Sequence, residues 1–196
     1  MLLIINNSKN INKLSYIHKL RNALLTLKIP YYEIKNIDDD IEKLKHKIKG
    51  IILSGSPIKL STNNKFEDYV YNIYYLLNLK VPVLGICFGS QLLHVLNGGK
   101  LSDQKKYFCE IENVELSNHK LFSNIKDSQM QFCFSDLIIP IKNTKIKEIA
   151  WFHFNGKTYP CAFEFKKDMY GCLFHPETLV SSHPIIHNFA KLCGSI

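Results

Sequence analysis

The chain has 196 residues, of which 46% are hydrophobic and 21% charged, the proportions of an ordinary globular protein long enough to bury a substantial core. No apolar run approaches the roughly 20 residues that cross a bilayer, and the start MLLIINNSKN turns polar too soon for a secretory signal, so a cytoplasmic protein without a membrane partner is expected. The net charge of +8 is almost all lysine, with Arg21 the only arginine. Bidentate phosphate and guanine recognition favours arginine, and the lysines are scattered, so nucleic acid is not an expected partner.

In chain order, Leu2 to Ile5 reads as a buried strand, followed by a helix over 12–27 with Leu14, Ile17, Leu20, Leu24 and Leu27 at amphipathic spacing. Pro30 stops that helix, and Tyr31 to Ile34 forms the second strand. A charged helix over 38–49 opens on Asp38, Asp39 and Asp40 and closes near Gly50. Ile51 to Leu53 is a third strand, leading into the loop Ser54-Gly55-Ser56-Pro57. A helix over 66–78 precedes the strand Val83 to Ile86, which runs straight into Cys87. Strands buried on both faces and alternating with helices predict a parallel, doubly wound sheet. Beyond residue 100 the pattern changes to β-like runs at 109–116, 131–139, 149–154, 161–165 and 171–174, closed by a helix over 184–193. We expect one α/β domain over 1–196: an open, mostly parallel central sheet flanked by helices, with additional antiparallel strands in its C-terminal half.

Cysteines occur at 87, 109, 133, 161, 172 and 193, none paired as C-x-x-C, and a chain of this size needs no disulfide framework. Five read as reduced thiols. Cys87 differs, because Gly85-Ile86-Cys87-Phe88-Gly89 places G-x-C-x-G between a strand and a helix, the cysteine counterpart of the nucleophile elbow. Such a turn exposes the thiol at the carboxyl end of the sheet, where open α/β sheets bind ligands. The following helix N-terminus favours negative charge and offers backbone N–H groups, Phe88 first, to a developing oxyanion. Gln91 lies one helical turn further on the same face. His175 and Glu177, in Phe174-His175-Pro176-Glu177, follow a strand. Proline keeps the backbone extended and residues two apart point the same way, so Glu177 can orient the imidazole that deprotonates Cys87.

These pieces, in this order, resemble the class I (triad-type) glutamine amidotransferases: Ile51 to Pro57, Pro82 to Gln91, Gly98-Gly99-Lys100, and Phe174 to Glu177. Within that family they are most similar to the amidotransferase portion of GMP synthases, and anthranilate synthase component II is similar. The resemblance implies a flavodoxin-like fold and attack of Cys87 on the side-chain amide of glutamine. A γ-glutamyl thioester would form, with ammonia released to a partner, an ATP-dependent synthetase subunit. It also implies an oxyanion hole from Phe88 and Ser56, and a substrate site drawing on Gly55, Gln91, Ser135 and Asp136. No cofactor is called for, and no His, Cys or carboxylate group has the spacing of metal ligands.

The chain departs from the family pattern in three places. Ser56 stands where the family usually has glycine, a steric cost if that position uses positive φ. Cys133-Phe134-Ser135-Asp136 stands for the family's Ser-His-Gly-Asp turn, and Lys106-Tyr107-Phe108 is only an echo of its Glu-Tyr-Gly segment. Two alternatives to glutamine hydrolysis stay open: a γ-glutamyl peptidase or hydrolase, which the altered 133–136 turn suggests, and a non-catalytic or conditionally active regulatory subunit, consistent with the absence of an ATP-binding motif. His94 shares a helix face with Cys87 and is expected to pack in the core or on the helix surface. The aromatic cluster Phe66, Tyr69, Tyr71, Tyr74 and Tyr75 is expected on one helix.

Overall fold

Four short runs, β1 (Leu2–Ile5), β2 (Tyr31–Ile34), β3 (Gly50–Leu53) and β4 (Val83–Ile86), pair in parallel in the order β2-β1-β3-β4. The computed structural model describes residues 1–8, 16–35, 39–62, 73, 76–141 and 146–196. Every residue of β1, β3 and β4 is buried, which is why these strands read as continuous apolar runs rather than alternating ones. β11 (Met169–Cys172) joins β4 in parallel, and beyond it β10 (Lys157–Lys166), β9 (Lys147–Phe154), β6 (Ile111–Leu116) and β7 (Gln129–Gln131) add on antiparallel. Among the described residues this is a mixed sheet of nine strands. A second sheet pairs β5 (Lys100–Phe108) with β8 (Phe134–Ile139). Helices among the described residues include α1 (Tyr16–Thr26), α2 (Asp39–Leu44), α3 (Phe88–Leu96) and α4 (His183–Leu192). None of them is long and apolar enough to cross a membrane.

Several elements differ from their expected form. The charged helix ends at Leu44 and tightens into a 3-10 turn, Lys45–Lys47, so that the chain can swing into β3. The predicted strand over 131–139 divides at Phe132-Cys133, its first part pairing with β6 and its second with β5. β5 is not announced by its sequence at all. It is polar and largely exposed, with a register shift between Asp103 and Phe108 and Lys105 at φ 58°, so nothing imposes a hydrophobic period on it. Most of the expected helix over 66–78, including the whole aromatic cluster, lies outside the described residues.

An aromatic core supports the C-terminal half. Phe132, Phe134, Phe152, Phe163 and Phe174 are fully or almost fully buried, Phe132 stacking on Phe152 at 4.4 Å and meeting Phe174 edge-on at 5.9 Å. Each such pair contributes about 0.5–1.5 kcal/mol beyond its buried area. Arg21 is bound internally, its guanidinium donating to both Glu33 oxygens at 2.7 and 2.6 Å.

Candidate active site

Cys87 stands at the end of β4 with φ 48° and ψ −103°, a region L-residues rarely occupy and one that costs about 1–3 kcal/mol. The surroundings over-determine it. Its N–H donates to the Cys172 carbonyl at 2.8 Å, and its carbonyl accepts the first helical bond from Gln91 N–H at 2.9 Å. Both elbow glycines are demanded by close approach. A Cβ on Gly85 would sit 2.6 Å from the Gly89 backbone, and one on Gly89 would overlap the Leu53 carbonyl. The thiol is 3% exposed and donates to the Cys133 carbonyl at 3.4 Å.

His175 reaches the same place from β11. Because β4 and β11 are in register, Ile86 opposite Cys172, three further residues carry the chain to His175 beside Cys87. The bridge between Phe174 and Phe132, and the bond from His175 N–H to the Gln131 carbonyl at 2.7 Å, fix its backbone. Glu177 meets the imidazole, though not along extended backbone as expected. Pro176-Glu177-Thr178 forms a turn closed by Thr178 N–H and Oγ1 on the His175 carbonyl, at 3.2 and 2.8 Å. That turn brings Glu177 Oε1 to 2.8 Å from Nδ1. Since a carboxylate only accepts, Nδ1 carries the proton and Nε2 is the basic atom. Nε2 is buried and has no hydrogen-bond partner among the described residues. The Cys87 thiol lies close enough to influence the ring but points its hydrogen at Cys133.

Burial alone would lower the basicity of His175. The negative charge of Glu177, reinforced by the neighbouring Cys87, outweighs it and holds the imidazolium up to about 10. A raised folded-state value stabilises the protein fully below the ordinary value of 6.5 and is lost as the pH rises towards 10. The stability advantage of wild type over His175→Gln is therefore expected to shrink by up to about 1.4 kcal/mol per pH unit above neutrality. Thermal unfolding of both proteins at about pH 6.5 and 8.5 measures it; a constant difference would contradict the assignment.

The third segment enters from β3. Ser54 N–H bonds to the Ile5 carbonyl at 3.0 Å, and the Asn7 side chain holds the Ser54 carbonyl at 2.9 Å. These bonds deliver Gly55 to the imidazole, where a Cβ would lie 2.9 Å from His175 Cε1 and 3.7 Å from Cys87 Cβ. Gly55→Ala is accordingly expected to displace the imidazole and lower turnover about 10²-fold, read as kcat/KM with the folded state checked by circular dichroism. Ser56 is not among the residues with positive φ, so serine incurs no backbone strain there.

The space over Cys87 is small, about 10 Å³, a single water-sized volume. Besides Cys87 it is lined by Ser56, Pro57, Ile58, Gln91, Tyr107 and Cys133 to Ser135. Of the expected substrate contacts, Gln91 and Ser135 line this space. The Gln91 amide donates to the Asp136 carbonyl at 2.6 Å. Phe88 is fully buried at the first turn of α3. Asp136 is placed otherwise: its carboxylate accepts from Leu60 N–H, Ser61 N–H and Ser61 Oγ at 2.7, 3.0 and 2.5 Å, so it ties down the loop beyond Ser56 instead of facing the cavity.

The cysteines need a correction too. Cys161, Cys172 and Cys193 are free and buried, but Cys109 and Cys133 form a disulfide, their Cα atoms 4.1 Å apart. Residues 24 apart in a chain without a cysteine-rich pattern give no spacing signal for such a pair; the meeting of the β5–β6 and β7–β8 connections creates it. His94 packs as expected, Nε2 on the Ile139 carbonyl at 2.9 Å and the ring against Gly99. Tyr16, which no motif marks, stacks on His175 with ring centres 3.9 Å apart.

A parallel sheet extended by antiparallel strands, with an elbow cysteine at its centre, is the fold of the class I glutamine amidotransferases. The chain belongs to that family, whose model (Glutamine amidotransferase class-I) matches residues 10–192. Among curated proteins it is similar to the A subunit of the glutamine-hydrolyzing GMP synthase of Methanococcus vannielii, at 32% identity over 99% of this chain and 97% of that protein. It also matches 31% of the length of the longer GMP synthase of Borrelia garinii, at 34% identity over 88% of this chain. The crystal structure of a glutamine amidotransferase from Thermotoga maritima superposes with a TM-score of 0.66 at 18% identity, covering 97% of this chain and 80% of that one.

Proposed function

We propose that this chain, acting as one unit over 1–196, hydrolyses the side-chain amide of glutamine and passes the ammonia to a separate synthetase subunit. The observation that carries this reading is the meeting of Cys87 with the His175–Glu177 pair, 2.8 Å between Nδ1 and Oε1, at the ends of neighbouring strands. Cys87 reacts as the thiolate paired with the His175 imidazolium, its proton held on Nε2, and attacks the amide carbon. Phe88 N–H and Ser56 N–H stabilise the oxyanion. The imidazolium then protonates the departing ammonia, leaving a γ-glutamyl thioester. Water, deprotonated by Nε2, attacks the thioester and releases glutamate with the thiol restored. Gly55, Gln91 and Ser135 border the substrate, and Asp136 holds the adjoining loop. The likeness to a free-standing GMP synthase subunit, together with the match to one third of a single-chain GMP synthase, favours an ATP-dependent, GMP-forming synthetase as the ammonia acceptor in the cytoplasm. Glutamine-dependent release of ammonia and glutamate by the wild-type protein tests the reaction. Absence of release with and without the ATP-dependent portion of a GMP synthase would overturn it.

A second reading, conditional activity, is favoured by the closed cavity: 10 Å³ does not admit an amino acid. On this reading the wall formed by Tyr107 and Cys133 to Ser135 parts only when the synthetase docks. Labelling of Cys87 by a glutamine-analogue chloroketone separates the two. Prompt stoichiometric labelling of the isolated chain supports constitutive activity, and labelling only with the synthetase present supports the conditional form.

A further inference from the structure

One hydrogen bond fixes a line, not a plane. Glu177 Oε1 holds Nδ1 of His175 at 2.8 Å, but the imidazole could still swing about that contact and carry Nε2 away from Cys87. Two other neighbours restrict it. Gly55 abuts the Cε1 edge, where even a Cβ would come within 2.9 Å. The Tyr16 ring lies on a face, ring centres 3.9 Å apart and planes inclined by 22°. Tyr16 is itself held. It heads α1, whose Ile17, Leu20 and Leu24 are buried, and its hydroxyl contacts Cys109 Sγ at 3.7 Å, donating because the disulfide sulfur has no hydrogen.

We propose that Tyr16 is a positioning residue for His175, its stacked ring keeping Nε2 aimed at Cys87 and its π face stabilising the imidazolium. This rests on the reading of Cys87, His175 and Glu177 as a triad. An aromatic face is electron-rich and attracts a cation more than a neutral ring, so the stack favours the protonated imidazole that must deliver a proton to ammonia. Among the described residues, the charged and titratable groups around the pair are Glu177 and Cys87 at both rings, with Lys19 and Tyr107 also at Tyr16. The Lys19 ammonium sits 5.0 Å from the Tyr16 ring centre, but Lys19 is exposed and water screens it. Burial first, and then the acidic groups Tyr107, Glu177 and Cys87 nearby, push the Tyr16 phenol up to about 12. It therefore stays protonated and acts as a neutral ring, not as a base.

Tyr16→Leu and Tyr16→Phe test this against the wild type, with thermal unfolding used to confirm that both variants fold. The readouts are the titration of the His175 ring by nitrogen NMR, and kcat and KM for glutamine as functions of pH. Removing the ring destabilises the imidazolium, so Tyr16→Leu is expected to titrate at lower pH and to bring the alkaline limb of kcat/KM down with it. At a fixed pH on that limb the rate should fall about threefold to tenfold, mostly in kcat, with KM changed by less than about twofold. Tyr16→Phe, which keeps the stack, should restore the His175 titration to within about twofold in protonation constant. A His175 titration unmoved by Tyr16→Leu, or moved equally by Tyr16→Phe, overturns the proposal. If no protein hydrolyses glutamine, the reaction assigned above fails, while the NMR titration still decides the role of Tyr16.

Discussion

Cys87→Ala is expected to lower glutamine hydrolysis by at least about 10⁴-fold, since loss of a covalent nucleophile removes the route through the thioester and leaves only binding and the oxyanion donors. The same position carries a second expectation of opposite sign. At φ 48° and ψ −103° any Cβ is strained, so alanine keeps the strain while glycine releases it. Relief of about 1–2 kcal/mol, less about 0.5–1 kcal/mol for the added freedom of the unfolded glycine chain, leaves Cys87→Gly more stable than Cys87→Ala by up to about 1.5 kcal/mol. For a chain of this size the gain over alanine corresponds to up to about 6 °C in melting temperature. Paired unfolding curves for Cys87→Gly and Cys87→Ala check it. If the two variants melt together, the elbow is not storing strain in the folded state.

The second large effect is at Glu177. Glu177→Gln retains the shape that meets Nδ1 but removes the charge that offsets the burial of His175. The imidazolium then loses its main stabilising partner, and turnover is expected to fall about 10³- to 10⁴-fold with KM little changed. The pH dependence of stability should also reverse. With Glu177 present, the His175 value is held up to about 10 and stability declines as pH rises. With glutamine there, burial dominates and depresses the value, so this histidine's contribution is present above about pH 6.5 and lost as the pH falls. Melting temperatures of the two proteins across about pH 5 to 9 should therefore slope in opposite senses for this component. Parallel slopes would mean that Glu177 does not set the charge of His175.

Much of this site is legible in the chain because local rules act over a few residues. The run Val83 to Ile86 needs a buried strand, and Gly85 and Gly89 make sense only where a strand and a helix pack backbone to backbone. A cysteine between them therefore lands at a strand end. The His175–Glu177 pair is local in the same way, although a turn rather than extended backbone brings the two side chains together. β5, the split between β7 and β8, and the Asp136 ties to Leu60 and Ser61 are not legible. They depend on partners 16 to 76 residues away, and the polar residues of β5 carry no period that would betray a strand.

What the sequence determined by itself is therefore the machinery and its order along the chain: a thiol on an elbow, an imidazole with its own carboxylate, and a glycine loop to sit beside them. Only the tertiary structure decided how these meet and what surrounds them. The register of β3, β4 and β11 aligns three strand ends separated by up to about 120 positions in the chain. The same assembly lays Tyr16 on the imidazole, closes Cys109 to Cys133 across the substrate wall, and turns the Asp136 carboxylate away from the cavity. The reason is physical. A strand-to-helix elbow is specified by residues adjacent in the chain, whereas a pocket is the gap left when distant segments pack, and no local pattern encodes the shape of that gap.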